Sequence, residues 1–291
     1  MAIRHIMSVD VEDYFQVEAF ADRVRPDQWD SFPTRVADNT RRILDLFDEH
    51  GVRATFFYVG WVAKKFPGLV AETSRRGHEL GCHSYWHRTI FSLTPEQFRE
   101  DLRMARDVIE QAGSQKVEGF RAPSWSITQK SLWALDVLAE EGFQYDSSIF
   151  PIVHDIYGVP GASRRPYVHA NKLPEFPPAS VRVGSMTMPA AGGGYLRILP
   201  FAYTCWAIDR IQAEFGQPVV IYFHPWEIDP AQPRLNGKLR SRFRHYTNLG
   251  RMENRLVRLM KRYPFQSFRD WIASGEGLPA EMAGLASGTR L

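Results

Sequence analysis

The chain has 291 residues, 44% of them hydrophobic, enough to bury one large core, and its 36 basic against 33 acidic side chains leave a net charge of +3. So small an excess excludes the basic face of a nucleic-acid binder, and two cysteines, Cys82 and Cys205, exclude a disulfide framework. No apolar run reaches the roughly 18 residues of a membrane-spanning helix, and the opening MAIRHIMSVDVEDYF has no signal-peptide pattern. The expectation is a cytoplasmic protein, with peripheral attachment at an inner membrane left open.

The first element is a strand ending in the acidic cluster Asp10-Val11-Glu12-Asp13. Val36, Ile43, Leu44 and Phe47 fall near helical spacing up to His50, and Gly51 supplies a left-handed stop. Arg53 to Val59, β-branched and aromatic, reads as a strand, Trp61 to Arg76 as a helix, and His78 to Cys82 as a short strand holding a buried free thiol. Thr94, Pro95 and Gln97 form a capping box ahead of a helix that closes at Gly113. A strand over Val117 to Phe120, a helix capped by Thr128 and a strand over Phe143 to Tyr145 complete a βαβαβαβαβ pattern.

From Ser147 to Pro200 prolines cluster and regularity fails, so long loops with short strands are expected as an insert, too apolar to be a linker. Phe201 to Phe215 then reads as a helix, Val219 to Phe223 as a buried strand, Gly250 to Arg262 as a basic amphipathic helix and Phe265 to Ser267 as a closing strand. Serial β-then-α units without a dinucleotide-binding glycine turn predict a single distorted parallel (β/α) barrel over 1–275, of about seven strands, with a frayed tail over 276–291.

Asp10 to Asp13, His83, Arg121, Asp146 and His224 each stand at the carboxyl end of a separate candidate strand, the rim where such barrels place active sites. His83 and His87 are four residues apart. A strand would hold them about 13 Å apart, whereas a turn or helix start brings their imidazoles to about 6 Å, close enough to share an ion. With one carboxylate from Asp10 to Asp13 they would leave positions open for water and substrate, as a hydrolytic metal site requires. Arg121 could clamp a carboxylate and keep it ionised. His224 ends an apolar strand and reads either as a general acid or as a satisfied core histidine. Asp146 could be its hydrogen-bonded partner or a turn cap. Tyr14, Phe15, Trp86, Trp125 and Trp226 flank these motifs and could stack on a sugar or simply pack.

In this order the segments Ser8–Asp13, His83–His87, Arg121–Ser124, Asp146-Ser147 and Phe223–Pro225 resemble the five motifs of the NodB-type polysaccharide deacetylases, and Ala54–Gly60 and Gly77–Gly81 are similar to further hallmarks. Val9–Tyr14, Gly192–Arg197, Phe223–Glu227 and Phe243–Asn248 resemble the subfamily found at exosortase exopolysaccharide loci. The resemblance implies a metal-dependent hydrolase acting on an acetylated glycan: Asp10 as base, Arg121 holding it, His224 as acid, and a divalent ion, zinc first, with cobalt, iron and nickel also suited to such donors. Val11 departs from the paired aspartates of many members, so the ligand is Glu12, with Asp13 in reserve, beside His83 and His87. The fourth motif lacks the usual tryptophan. A cyclic-amide hydrolase and a catalytically silent carbohydrate-binding protein are the alternatives.

Overall fold

Residues 3–154, 157–190 and 192–286 are described by the computed structural model. Its strands are β1 (His5–Val11), β2 (Thr55–Tyr58), β3 (Glu79–Cys82), β4 (Gly119–Phe120), β5 (Tyr145–Asp146), β6 (Tyr167–Val168), β7 (Pro174–Glu175), β8 (Ser180–Val183), β9 (Met186–Pro189), β10 (Val220–Phe223) and β11 (Phe265–Gln266). Seven of them, in the order β10-β1-β2-β3-β4-β5-β7, lie parallel, with β11 also beside β1 and β6 antiparallel to β7. The ring has a gap between β7 and β10, bridged where the Ala179 amide donates to the Val220 carbonyl at 3.0 Å. This is the expected distorted barrel. The hairpin β8-β9 stands apart as its own two-stranded sheet.

Alternation along β1 decides what faces where, because successive side chains of a strand point to opposite faces. Ile6, Ser8 and Asp10 turn inward: Ile6 packs with Phe57, Tyr145, Phe176 and Val220, while Ser8 and Asp10 meet Arg121. Met7, Val9 and Val11 turn outward into the larger core beneath the helices. The interior is filled in layers, with Phe57 crossing close to β3. A Cβ on Gly81 would sit 2.4 Å from its ring, so that position requires glycine.

The helix Val36–Glu49 and the helix Pro95–Gly113 follow the expected spans, the second with its Thr94–Gln97 capping box in place. The helix expected over Trp61 to Arg76 is two, Gly60–Lys65 and Pro67–Arg75, because Pro67 lacks the amide that would continue the first. Thr128 does not cap the next helix, which starts at Trp133; its own amide donates to the Ser131 hydroxyl instead. Within the 147–200 stretch, Gly193–Ile198 is a helix that the proline clustering concealed.

Residues 276–286 also differ from the expected frayed tail. Met282 and Leu285 are buried against Phe268 and Trp271, plugging the amino-terminal end of the barrel, and residues 287–291 of that tail lie outside the described residues. Cys82 and Cys205 are buried and free. Among the described residues, no helix is long and apolar enough to cross a membrane.

Candidate active site

Strand ends carry the polar groups to one end of the barrel. Asp10 is the penultimate residue of β1, His83 follows β3, Arg121 follows β4, Asp146 ends β5 and His224 follows β10. Asp10, Glu12, His83, His87, Trp125, Tyr157, Tyr222, His224 and Trp226 all line a cavity of about 270 Å³ there.

His83 to His87 is an irregular turn rather than a helix, with Ser84 at φ +64° and His87 at φ +51°. Such left-handed backbone is unfavourable for residues other than glycine and needs bracing. The brace is Asp101, buried on the helix Pro95–Gly113. Its carboxylate accepts from the Ser84 hydroxyl at 2.8 Å, from the Tyr85 and Trp86 amides, and from Arg88 at 3.3 Å. The turn sets the two rings with centroids 5.1 Å apart.

Glu12 joins them: one donor atom from each of Glu12, His83 and His87 lies within 4.8 Å of the others, and all three residues are buried. The Arg121 carbonyl can only accept, so the 2.8 Å contact puts the proton of His83 on Nδ1 and leaves the Nε2 lone pair for a ligand. Burial drives the His83 pKa down to about 4, keeping the ring in its neutral, ligating form. Glu12 Oε1 accepts from Trp226 Nε1 at 3.1 Å, while Oε2 lies 2.5 Å from His87 Nε2 and has no other polar partner among the described residues. Burial alone would push the Glu12 carboxyl up, but His87 and His224 outweigh it and hold it well below the usual carboxylate range. His87 is raised in turn, Glu12 overcoming the burial that opposes its charge. A carboxylate so placed needs a positive partner, and two imidazoles with one carboxylate form a donor set that fits a divalent metal ion.

Beside this trio Asp10 pairs with Arg121 Nη1 at 2.7 Å, both side chains almost fully buried. Arg121 makes three further hydrogen bonds: Ser8 Oγ accepts at 2.8 Å, the Ser147 carbonyl at 3.3 Å and Ser147 Oγ at 3.1 Å, and the guanidinium lies 4.3 Å from the Phe57 ring centroid. Such a pair adds little net stability, but losing one partner would strand a buried charge at about 3–5 kcal/mol. His224 Nε2 stands 3.9 Å from Asp10 and 3.7 Å from Glu12. Its Nδ1 donates to Glu227 Oε1 at 2.6 Å, and Glu227 Oε2 accepts from Arg197 at 3.1 Å. Burial opposes a charge on His224, but Glu12, Glu227 and Asp10 raise its pKa to about 9. Its ring stacks on Trp226, which stacks on His245.

Two assigned residues take other places. Asp13, one position beyond Glu12, points to the opposite side of the chain, where it accepts from the Tyr14, Arg35 and Val36 amides and so caps the helix Val36–Glu49. Asp146 is not the partner of His224. It is buried behind the mouth, where it accepts from Ser148 Oγ at 2.5 Å, and Glu175 beside it accepts from the Ser148 and Ile149 amides. Burial and the Glu175 charge push the Asp146 carboxyl well above its ordinary range. Of the flanking aromatics Trp125 and Trp226 line the cavity, whereas Tyr14 and Phe15 are buried in the core. The sequence assigns no role to Asp101, Glu227 or Arg197, the last two standing only as the ends of the segments Phe223–Glu227 and Gly192–Arg197.

The architecture is that of the NodB-type barrels. A Mycobacterium smegmatis protein described as a polysaccharide deacetylase superposes with a TM-score of 0.53 at 21% identity, over 90% of this chain and 93% of its own. Residues 28–145 match the model of the polysaccharide deacetylase family, and residues 147–273 match a domain of unknown function, DUF3473. It is 30% identical to a peptidoglycan-N-acetylglucosamine deacetylase of Bacillus cereus over 33% of this chain and 36% of the relative. To a chitooligosaccharide deacetylase of Azorhizobium caulinodans it is 30% identical over 30% and 43%. The chain thus spans less than half the length of these curated relatives.

Proposed function

We propose that the chain removes N-acetyl groups from an N-acetylhexosamine-containing polysaccharide or its precursor, in exopolysaccharide biosynthesis or modification, by metal-dependent hydrolysis. One observation carries the reading: Glu12, His83 and His87 converge within 4.8 Å beside Asp10, itself paired with Arg121. The relatives named for N-acetylglucosamine and chitooligosaccharide deacetylation support the substrate class.

Glu12, His83 and His87 would hold the ion, zinc by preference, which when bound acidifies a water and polarises the acetyl carbonyl. Asp10, held and aimed by Arg121, takes the proton of the attacking water. The Ser124 amide, on a backbone at φ +53° lining the cavity, donates to the developing oxyanion. Protonated His224 passes its Nε2 proton to the departing amine, and Glu227 holds the ring in that orientation. Trp125 and Trp226 wall the cavity and suit the faces of a sugar ring.

The test is acetate release from a panel of N-acetylated glycans by metal-stripped protein reloaded with one divalent ion at a time. Release restored by an ion is the expected result. Undiminished release from stripped protein would remove the metal from the mechanism. Glycan binding without release would favour a silent binding protein, and turnover of small imides alone a cyclic-amide hydrolase.

A further inference from the structure

Between Asp229 and Glu253 the chain carries no acidic residue and six cations: Arg234, Lys238, Arg240, Arg242, Arg244 and Arg251. The helix Leu239–Tyr246 lies in this stretch, at the mouth of the cavity. Ser241, Arg244 and His245 line the opening. At about 100° per residue, Leu239 and Phe243 fall on the face opposite those three, one turn apart, with Arg240 and Arg242 flanking them on either side. Leu239 is 83% exposed and Phe243 63%. Val153, 84% exposed, directly precedes His154, another residue of the opening. Large apolar side chains this open are what a folded chain ordinarily buries.

We propose that this rim docks on the surface of an anionic lipid bilayer, with Leu239 and Phe243 entering the boundary between headgroups and acyl chains and Lys238, Arg240 and Arg242 meeting the headgroups. An apolar strip bordered by cations is the pattern of a helix lying in that boundary. A soluble acidic glycan would engage the cations and leave both apolar side chains in water; a bilayer uses both. Docking stands on its own geometry. Its consequence, that the glycan to be deacetylated is carried on the membrane surface and enters the cavity from it, rests on the deacetylase reading.

The experiment is co-sedimentation of the full chain with vesicles of phosphatidylcholine, with and without phosphatidylglycerol. Binding should require phosphatidylglycerol and weaken with salt. The double variant L239S/F243S should bind more than about tenfold more weakly at an unchanged melting temperature. Each of K238Q, R240Q and R242Q should cost about fivefold. The proposal is overturned if anionic vesicles do not bind the chain. It is also overturned if L239S/F243S binds as well as the parent while the cation variants lose binding, the result a soluble polyanion site would give. Acetate release without vesicle binding would sink docking alone, and vesicle binding without acetate release from any N-acetylated glycan would sink the deacetylase reading alone.

Discussion

Glu227 and His224 form a 2.6 Å hydrogen bond within one 3-10 turn, the carboxylate accepting from Nδ1 and steadied on its far side by Arg197. The proton of the imidazole thus owes its position to a residue three places along the chain. A donor must be protonated, so the activity it supports is present below its pKa and lost as pH rises through it. Glu227→Gln removes a negative charge and lowers that pKa. The alkaline limb of the acetate-release profile should move to lower pH and kcat should fall about 10²-fold with little change in KM. An Asp146→Asn variant should leave that limb where it is.

Glu12 and Asp13 are adjacent acids on opposite sides of the chain. Glu12→Gln should abolish stoichiometric metal binding, measured by elemental analysis after dialysis. Asp13→Ala should keep the metal and cost about 1 kcal/mol of stability, the ordinary loss of a helix cap, read from denaturant unfolding. Metal loss in the second variant and retention in the first would reverse the assignment.

Asp101 touches no reacting group, yet it holds the left-handed turn that presents both histidines. Asp101→Asn should weaken metal affinity by about 10- to 100-fold. Competition with a chelator would reveal this, with the barrel itself still folded by circular dichroism.

Three buried histidines given no part in the proposed reaction make a stability prediction. Burial lowers His5 to about 4, His78 to about 3 and His245 to about 3. His5 and His78 each accept a backbone amide at Nδ1, at 3.2 Å, which favours the neutral ring. Below about pH 6.5 the unfolded chain takes up protons that the folded one refuses. Stability is therefore full above that pH and falls by about 1.4 kcal/mol per pH unit for each imidazole as the solution is acidified towards pH 4. Urea midpoints across this range should show the slope, and His78→Asn should flatten it by one imidazole's share, about 1.4 kcal/mol per pH unit.

The rim was legible because chemistry-bearing residues interrupt apolar strands: His83 after Leu80-Gly81-Cys82, and His224 after Val220 to Phe223, have no solvated face to belong to. Asp101 was passed over, although with Phe98, Leu102 and Ala105 it falls on the buried stripe of its helix, where an acid needs a reason. Choosing between Glu12 and Asp13 needed the phase of β1, which three acids in four positions obscure. The place of Asp146 could not be read, because its neighbour Glu175 comes from the proline-rich 147–200 stretch, where no periodicity announces a strand. Met282 and Leu285 looked like part of a small-residue tail until Phe268 and Trp271 gave them a surface.

Strand β10 inserts beside β1, and it brings His224 and Glu227 from the segment matching the domain of unknown function into a mouth whose His83, His87 and Arg121 come from the segment matching the deacetylase model. The boundary near residue 146 is therefore no seam. A fragment ending there would own the grip on a cation without a proton to give, and its complement the reverse. On the proposed mechanism, neither half would complete the reaction without the other.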